Sequence, residues 1–299
     1  MAGHRFVFVC GLHRSGTSLI ARCLAEHPQA SGFANTGVIE DEGQYLQTVL
    51  PLEIDYGGVG RFGFDPCAHL TEALPLNTAE NARKLLSEWQ RYWDLSKSVL
   101  VEKTPCNLLR MRLLAQFMQP SYFIIVTRHP IASSLAAIRW TEGNIFKFLA
   151  HWAHCYRIAR EDAAQLPNVK WISYETFTAD PQRELNRLYD FIDLPPHEIS
   201  GVPIANENQK YFDLWKQKYF GDSDRAIVQK PPKELGTLAE KMRYRLYSIK
   251  RQLGPAYRRK NNLLNFQDAQ DAVALLESAI NEFGYSFHDL NKAPRSEDL

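Results

Sequence analysis

Four short apolar runs punctuate the first two-thirds of the chain, and each ends in a polar cluster. Arg5–Cys10 leads into Gly11-Leu12-His13-Arg14-Ser15-Gly16-Thr17-Ser18, and Ser98–Val101 into Glu102-Lys103-Thr104-Pro105. Tyr122–Thr127 ends at Arg128-His129-Pro130, and Val169–Ser173 at Tyr174-Glu175. Apolar runs of this kind, rich in β-branched and aromatic residues, predict strands buried on both faces. Helices are predicted over Leu19–His27, Asn107–Met118 and Ile131–Arg139, and from Pro181 to Phe191. Strands alternating with helices predict an α/β fold, a three-layer sandwich around a central parallel sheet. Ligands of such sheets sit beyond the carboxyl ends of the strands, so the four polar clusters are expected to form one site.

A long segment, Ser31–Lys97, separates the first two strands. It opens with glycine- and acid-rich loops and carries a predicted helix over Thr78–Tyr92. Long irregular stretches in compact domains are commonly functional, and this one is expected to cover an acceptor site. Further helices are predicted over Asn206–Tyr219, Glu234–Gln252 and Gln267–Glu282, and the polar end Asn291–Leu299 is expected to fray. With no internal repeat, the 299 residues read as one domain, with an insertion at 31–97 and a helical C-terminal part at 206–290.

Composition narrows the function classes. No apolar run reaches the ~18–20 residues needed to span a bilayer, and the first strand starts by Arg5, so a cytoplasmic protein without a transmembrane segment is expected. Five widely spaced cysteines with no C-x-x-C argue against zinc and against a disulfide framework. The net charge of +1 gives no general pull toward nucleic acid. Its distribution is uneven: Lys241 to Lys260 holds eight basic residues and no acidic one. That run suits weak contact with an anionic surface, and equally a solvated helix face.

The first polar cluster carries most of the chemistry. A strand, a glycine loop and a helix N-terminus converge backbone N–H groups on an anion. Gly11 and Gly16 have the spacing of a nucleoside-triphosphatase loop, but Thr17 occupies the lysine position and the cation is Arg14. This suits a terminal phosphate monoester or a 5′-phosphosulfate better than a β/γ-phosphate grip.

Arg14-Ser15-Gly16-Thr17-Ser18 resembles the [KR]-S-G-[TS]-[TS] loop of sulfotransferases that use 3′-phosphoadenosine 5′-phosphosulfate (PAPS). Leu24 to His27-Pro28 is similar to the tyrosylprotein and bacterial branches of that superfamily. The resemblance implies the P-loop-NTPase-like sulfotransferase fold. It also implies in-line transfer of a sulfuryl group to a hydroxyl, with adenosine 3′,5′-bisphosphate (PAP) as product and no metal. It places Gly11, His13, Arg14, Ser15, Gly16, Thr17 and Ser18 around the 5′-phosphosulfate and Arg128 on the 3′-phosphate. The family's serine eight residues after that arginine is Ala136 here, so Ser133 or Ser134 is expected to substitute. Tyr174-Glu175 resembles the family's Y-E strand end, with the tyrosine against the adenosine phosphate end. Glu102-Lys103-Thr104-Pro105 resembles E-K-[TS]-P, with Lys103 beside the transferring group. Asn208-Gln209-Lys210-Tyr211-Phe212 is expected to close over the nucleotide.

A proton acceptor is also required. Tyrosylprotein sulfotransferases place a glutamate about seven residues after the His-Pro pair, where this chain has Asn35 and Thr36. Among Glu40, Asp41 and Glu42, the expected base is Glu42 and then Asp41, because Gly43 can fix a turn there; His69 is the histidine rival. Arg14 and Lys103 would stabilise the charge of the transition state. Two other readings stay open: a P-loop kinase, which would need magnesium, and a nucleotide-binding scaffold that transfers nothing. The acceptor, whether carbohydrate, phenol, lipid or peptide, is not named by the sequence.

Overall fold

A computed structural model describes residues 3–141, 143–220 and 266–299. The predicted Glu234–Gln252 helix and the basic run at 241–260 lie outside the described residues. Five strands form one sheet in the order β2-β3-β1-β4-β5: β1 Arg5–Cys10, β2 Ala30–Gly32, β3 Val99–Lys103, β4 Ser121–Thr127 and β5 Val169–Ser173. All neighbouring pairs are parallel. The chain winds to one side of β1 through β2 and β3, then crosses to the other side for β4 and β5. That reversal opens a crevice at the carboxyl end of β1.

Strand geometry sends alternate residues to opposite faces. On β1, Phe6, Phe8 and Cys10 pack into one core and Val7 and Val9 into another. The second core is closed by Ile20, Cys23 and Leu24 of α1 (Thr17–Ala25) and by Leu185 and Leu188 of α7 (Pro181–Phe191). The first is closed by α2 (Ala79–Trp89), α3 (Met111–Phe117), α4 (Pro130–Ala137) and α5 (Ile145–Ala163). A fully buried Leu or Phe contributes about 1.5–3 kcal/mol, so this two-faced burial accounts for the unbroken apolar strands.

The strands follow the sequence pattern closely; the helices depart from it in instructive places. α1 begins two residues earlier than the predicted Leu19 because Gly16, in the left-handed region with φ 105°, already serves as its N-cap. The predicted Asn107–Met118 helix divides into a 3-10 turn, Pro105–Leu109, and the short α3. The segment between Arg139 and Val169, assigned no element from the sequence, contains the 19-residue α5. Its buried Ile145, Phe148, Leu149, Trp152, Tyr156 and Ala159 have helical spacing, and the Asn144 side chain caps its start. The short edge strand β2 and the one-and-a-half-turn α6 (Tyr174–Ala179) also carry no clear sequence signal. Two more helices complete the described chain: α8 (Gln209–Phe220) and α9 (Phe266–Asn281). The insertion is mainly 3-10 turns around α2. An indole N–H bond from Trp93 to the Val101 carbonyl of β3, at 2.9 Å, ties it to the sheet, and one from Trp89 to the Gly43 carbonyl, at 2.9 Å, holds α2 against the insertion's own loop.

Candidate active site at the carboxyl ends of the strands

The loop from Gly11 to Thr17 turns directly from β1 into α1. Gly11 sits where β1 leaves the sheet, against the Val126 carbonyl of β4. Leu12 N–H donates to the Tyr156 hydroxyl at 3.3 Å, and that hydroxyl donates to the Val126 carbonyl at 2.6 Å. Helix α5 therefore braces the loop from beneath. Gly16 is required twice over: by its positive φ, and because a Cβ there would lie 2.7 Å from the Tyr174 ring. No side chain caps α1, and uncapped N–H groups at a helix start are suited to an anion. Ser15 and Thr17 are buried, Ser18 is half-buried, and Arg14 is exposed with its guanidinium 5.0 Å from the Trp140 ring centroid.

Arg128, at the end of β4, is only 5% exposed. Its Nε donates to Asn208 Oδ1 at 2.7 Å and its Nη1 to the Arg14 carbonyl at 2.9 Å, while its plane lies 4.2 Å from the Tyr174 ring centroid. Nη2 is buried without a hydrogen-bond partner among the described residues. Burial lowers the guanidinium pKa, yet arginine remains charged at any physiological pH. Glu175 backs this arrangement by accepting from Asn208 Nδ2 at 2.6 Å and from His129 N–H at 2.9 Å. Of the two candidate serines, Ser133 turns back on its own helix, to the carbonyls of His129 (3.3 Å) and Pro130 (3.2 Å). Ser134 Oγ is buried and has no hydrogen-bond partner among the described residues. It lines a small cavity together with His13, Leu12 and Trp152.

On the other side of the loop, Lys103 at the end of β3 meets the insertion. Its Nζ lies 3.1 Å from Glu42 Oε1 and donates to the Glu40 carbonyl at 3.0 Å. Both side chains of the pair are 6% exposed. Burial raises the Glu42 pKa above the usual carboxylate range, and Lys103 partly opposes it. Gln44 Nε2 donates to Glu42 Oε2 at 2.7 Å, and its Oε1 accepts from Glu53 N–H at 3.1 Å. Glu53 in turn pairs with His13, Nε2 to Oε2 at 3.0 Å. Burial pulls the His13 pKa down, but the Glu53 carboxylate more than reverses this, and the net shift is upward.

The sequence-predicted residues thus separate into groups. Arg14, Ser15, Gly16, Thr17, Ser18, Arg128 and Tyr174 converge on the α1 N-terminus, with Asn208 and Tyr211 from the 208–212 segment alongside. Lys103, Glu42 and His13 form the second group. Asp41 is otherwise engaged: its carboxylate accepts from Thr36 N–H at 2.8 Å and Thr36 Oγ1 at 2.6 Å. His69 pairs with buried Asp162 at 2.9 Å, which locks the insertion to α5. Glu53 and Gln44 were not among the predicted residues. Only the fold brings position 53 to position 13, and no local spacing announces it. Among the described residues no cluster of metal-ligating side chains occurs, and no helix is long and apolar enough to cross a membrane.

Comparisons with known proteins complete the picture. The family model described as "Sulfotransferase family" matches residues 7–198. No curated protein matches the chain by sequence. Solved structures that resemble it include the sulfotransferase domain from the curacin biosynthetic pathway, at 18% identity and TM-score 0.43, covering 82% of this chain and 98% of that one. A sulfotransferase from Alicyclobacillus acidocaldarius gives 14% identity and TM-score 0.45, covering 72% and 91%. One from Mycobacterium tuberculosis gives 16% and 0.43, covering 71% of each chain. The family match spans β1 to beyond α7, including the phosphate loop, Lys103, Arg128 and Tyr174; the chain belongs to the sulfotransferase family.

Proposed function

We propose that the protein transfers a sulfuryl group from PAPS to a hydroxyl acceptor. The observation that carries this reading is the buried Nη2 of Arg128, without a hydrogen-bond partner among the described residues, beside the uncapped N-terminus of α1. A buried cationic donor without an acceptor is costly unless an anion completes it. Two anion-seeking features in one crevice fit a nucleotide with phosphates at both ends. The residues that would hold it are Arg14 to Ser18 at the 5′ side and Arg128 with Ser134 at the 3′-phosphate, with Tyr174 packed between. PAPS supplies the activated sulfuryl group. Glu42 takes the proton from the acceptor hydroxyl, and burial keeps its carboxylate basic enough to do so. Lys103 and Arg14 place positive charge where negative charge develops, and the His13 ring held by Glu53 lies beside them. The whole chain is read as one domain at work in the cytoplasm, with the 31–97 insertion over the acceptor.

Calorimetric titration with PAP, and in parallel with ATP plus magnesium, tests the donor site. Tight metal-independent binding of PAP with weak ATP supports the reading; binding of ATP with magnesium alone sinks it in favour of a kinase. Labelled PAPS offered with p-nitrophenol, a disaccharide, a fatty alcohol and a tyrosine peptide then tests transfer. PAP binding without transfer to any acceptor would favour the silent scaffold.

A further inference from the structure

The acid-rich loop that delivers Glu42 is held in an unusual backbone conformation. Glu40 and Asp41 follow one another with φ 52° and 51°, in the left-handed region that non-glycine residues seldom adopt. Such residues persist only where their surroundings over-determine them. Here the surroundings are explicit. Asp41 clamps Thr36, and Lys103 takes the Glu40 carbonyl. Immediately after Glu42, the Gly43 N–H donates to Glu102 Oε1 at 3.0 Å, and the Gln44 N–H donates to Thr104 Oγ1 at 3.2 Å. Thr104 Oγ1 itself donates to Glu102 Oε1 at 2.5 Å, and Asn107 Nδ2 donates to Glu102 Oε2. Gly43 approaches so closely that a Cβ there would lie 2.9 Å from Glu102 Cδ.

Glu102 is 1% exposed, and no ion pair to it is found among the described residues. A carboxyl group so placed is costly to bury, and an amide or apolar residue would fill the volume at less cost. The Lys103 ammonium pairs with Glu42, not with its sequence neighbour Glu102. We propose that Glu102 is a positioning residue: by gripping the backbone directly at Gly43 and, through Thr104, at Gln44, it aims Glu42 at Lys103 and at the incoming hydroxyl. This rests on the reading of Glu42 as the base. It adds a function for the first residue of Glu102-Lys103-Thr104-Pro105, which neither contacts the nucleotide cradle nor moves a proton of the substrate. One strand end then serves two jobs, since successive residues of β3 point to opposite sides. Lys103 reaches into the site, and Glu102 reaches back to fix the loop that faces it.

Two substitutions separate reach from charge. Glu102→Gln keeps the length and an acceptor oxygen for Gly43 but loses the charge; Glu102→Asp keeps the charge but is one methylene short. The first readout is amide hydrogen exchange across residues 39–47 in the full chain. The second is turnover of labelled PAPS with p-nitrophenol as the probe acceptor, followed against pH. Glu102→Asp should speed exchange at 39–47 by tenfold or more and lower kcat by ten- to a hundredfold. KM for PAPS, the affinity for PAP and exchange at 11–18 should stay within twofold. Glu102→Gln should recover most of the loss, and the acid limb of the pH profile should move in Glu102→Asp alone. Unchanged exchange at 39–47 in Glu102→Asp would overturn the proposal. So would equal damage from both variants, or a fall in PAP affinity that parallels kcat. If the unaltered protein transfers nothing, the transferase reading fails, while the exchange arm still decides whether Glu102 holds the loop.

Discussion

Arg128 holds two of its donors in structural hydrogen bonds and keeps a third in reserve. Nε and Nη1 fix the plane against Asn208 and the Arg14 carbonyl, which leaves Nη2 oriented and without a partner among the described residues. A lysine has one charged point and no fork, so Arg128→Lys should lose the oriented donor although it keeps the charge. Charge-assisted hydrogen bonds contribute about 1.5–3 kcal/mol, so PAP affinity should fall by roughly ten- to a hundredfold in calorimetry; a change under threefold would remove Arg128 from the site. Glu102 makes a prediction of a different kind. Burial raises its pKa from 4.5 to about 7. A carboxyl raised in the folded state favours folding below its unfolded pKa and loses that contribution as pH climbs through the folded one. Stability should therefore decline between about pH 4.5 and pH 7 by about 3 kcal/mol from this group, at 1.36 kcal/mol per pKa unit. Glu102→Gln should flatten that decline in denaturant titrations run across the range. Glu42 is raised in the same direction, so with Glu42 as the proposed base the acid limb of turnover should lie above the ordinary carboxylate range in a pH–rate profile.

At the scale of elements, the loop between β1 and α1 is shaped by three elements that press on it. Helix α1 supplies the N–H groups, α6 supplies the Tyr174 ring over Gly16, and α5 supplies Tyr156 beneath Leu12. Gly16→Ala would set a Cβ against that ring in a backbone region alanine avoids. PAP binding should be lost with a stability decrease of about 1–3 kcal/mol, readable by calorimetry and thermal melting together. Tyr174→Phe is milder. The ring stays, but the hydroxyl that donates to the Ala205 carbonyl at 2.8 Å and accepts from Glu207 N–H at 3.1 Å is gone. The 205–208 segment carries Asn208, so PAP affinity should drop severalfold with little change in melting temperature. The loop and its glycines were legible from sequence because strand, turn and helix N-terminus are contiguous. The long α5 was not read from the sequence, although Asn144 and the spacing of its apolar residues carry a helix signal. Its aromatic and histidine content disguised a helix that is buried along most of its length.

The whole molecule is held together across the site by contacts remote in sequence. His69 and Arg112 both meet buried Asp162, Arg112 Nη1 at 3.6 Å, and Arg112 Nε also takes Glu72 at 2.8 Å. This staples the insertion to α3 and α5. His69→Ala should lower the melting temperature by a few degrees, at about 2–4 °C per kcal/mol for a chain somewhat smaller than this one. PAP affinity and turnover should stay near normal. A large loss of turnover at constant stability would instead restore His69 as a rival base.

The sequence by itself determined four of the five strand positions, the parallel sheet, the glycine loop between β1 and α1 and the convergence of polar clusters at one end. These follow from burial on both faces and from backbone chemistry carried by neighbouring residues. The tertiary structure alone decided which acid faces the lysine. Among the adjacent carboxylates Glu40, Asp41 and Glu42, the sequence favours Glu42 and then Asp41 through the turn at Gly43, but pairs none of them with Lys103. The fold turns Asp41 onto Thr36, leaves Glu40 exposed and buries Glu42 against Lys103. It likewise brought Glu53 to His13 and Glu102 to Gly43, pairings 40 and 59 residues apart that no local pattern encodes. Side-chain direction in a loop is set by what the loop packs against, and that is known only once the sheet has assembled.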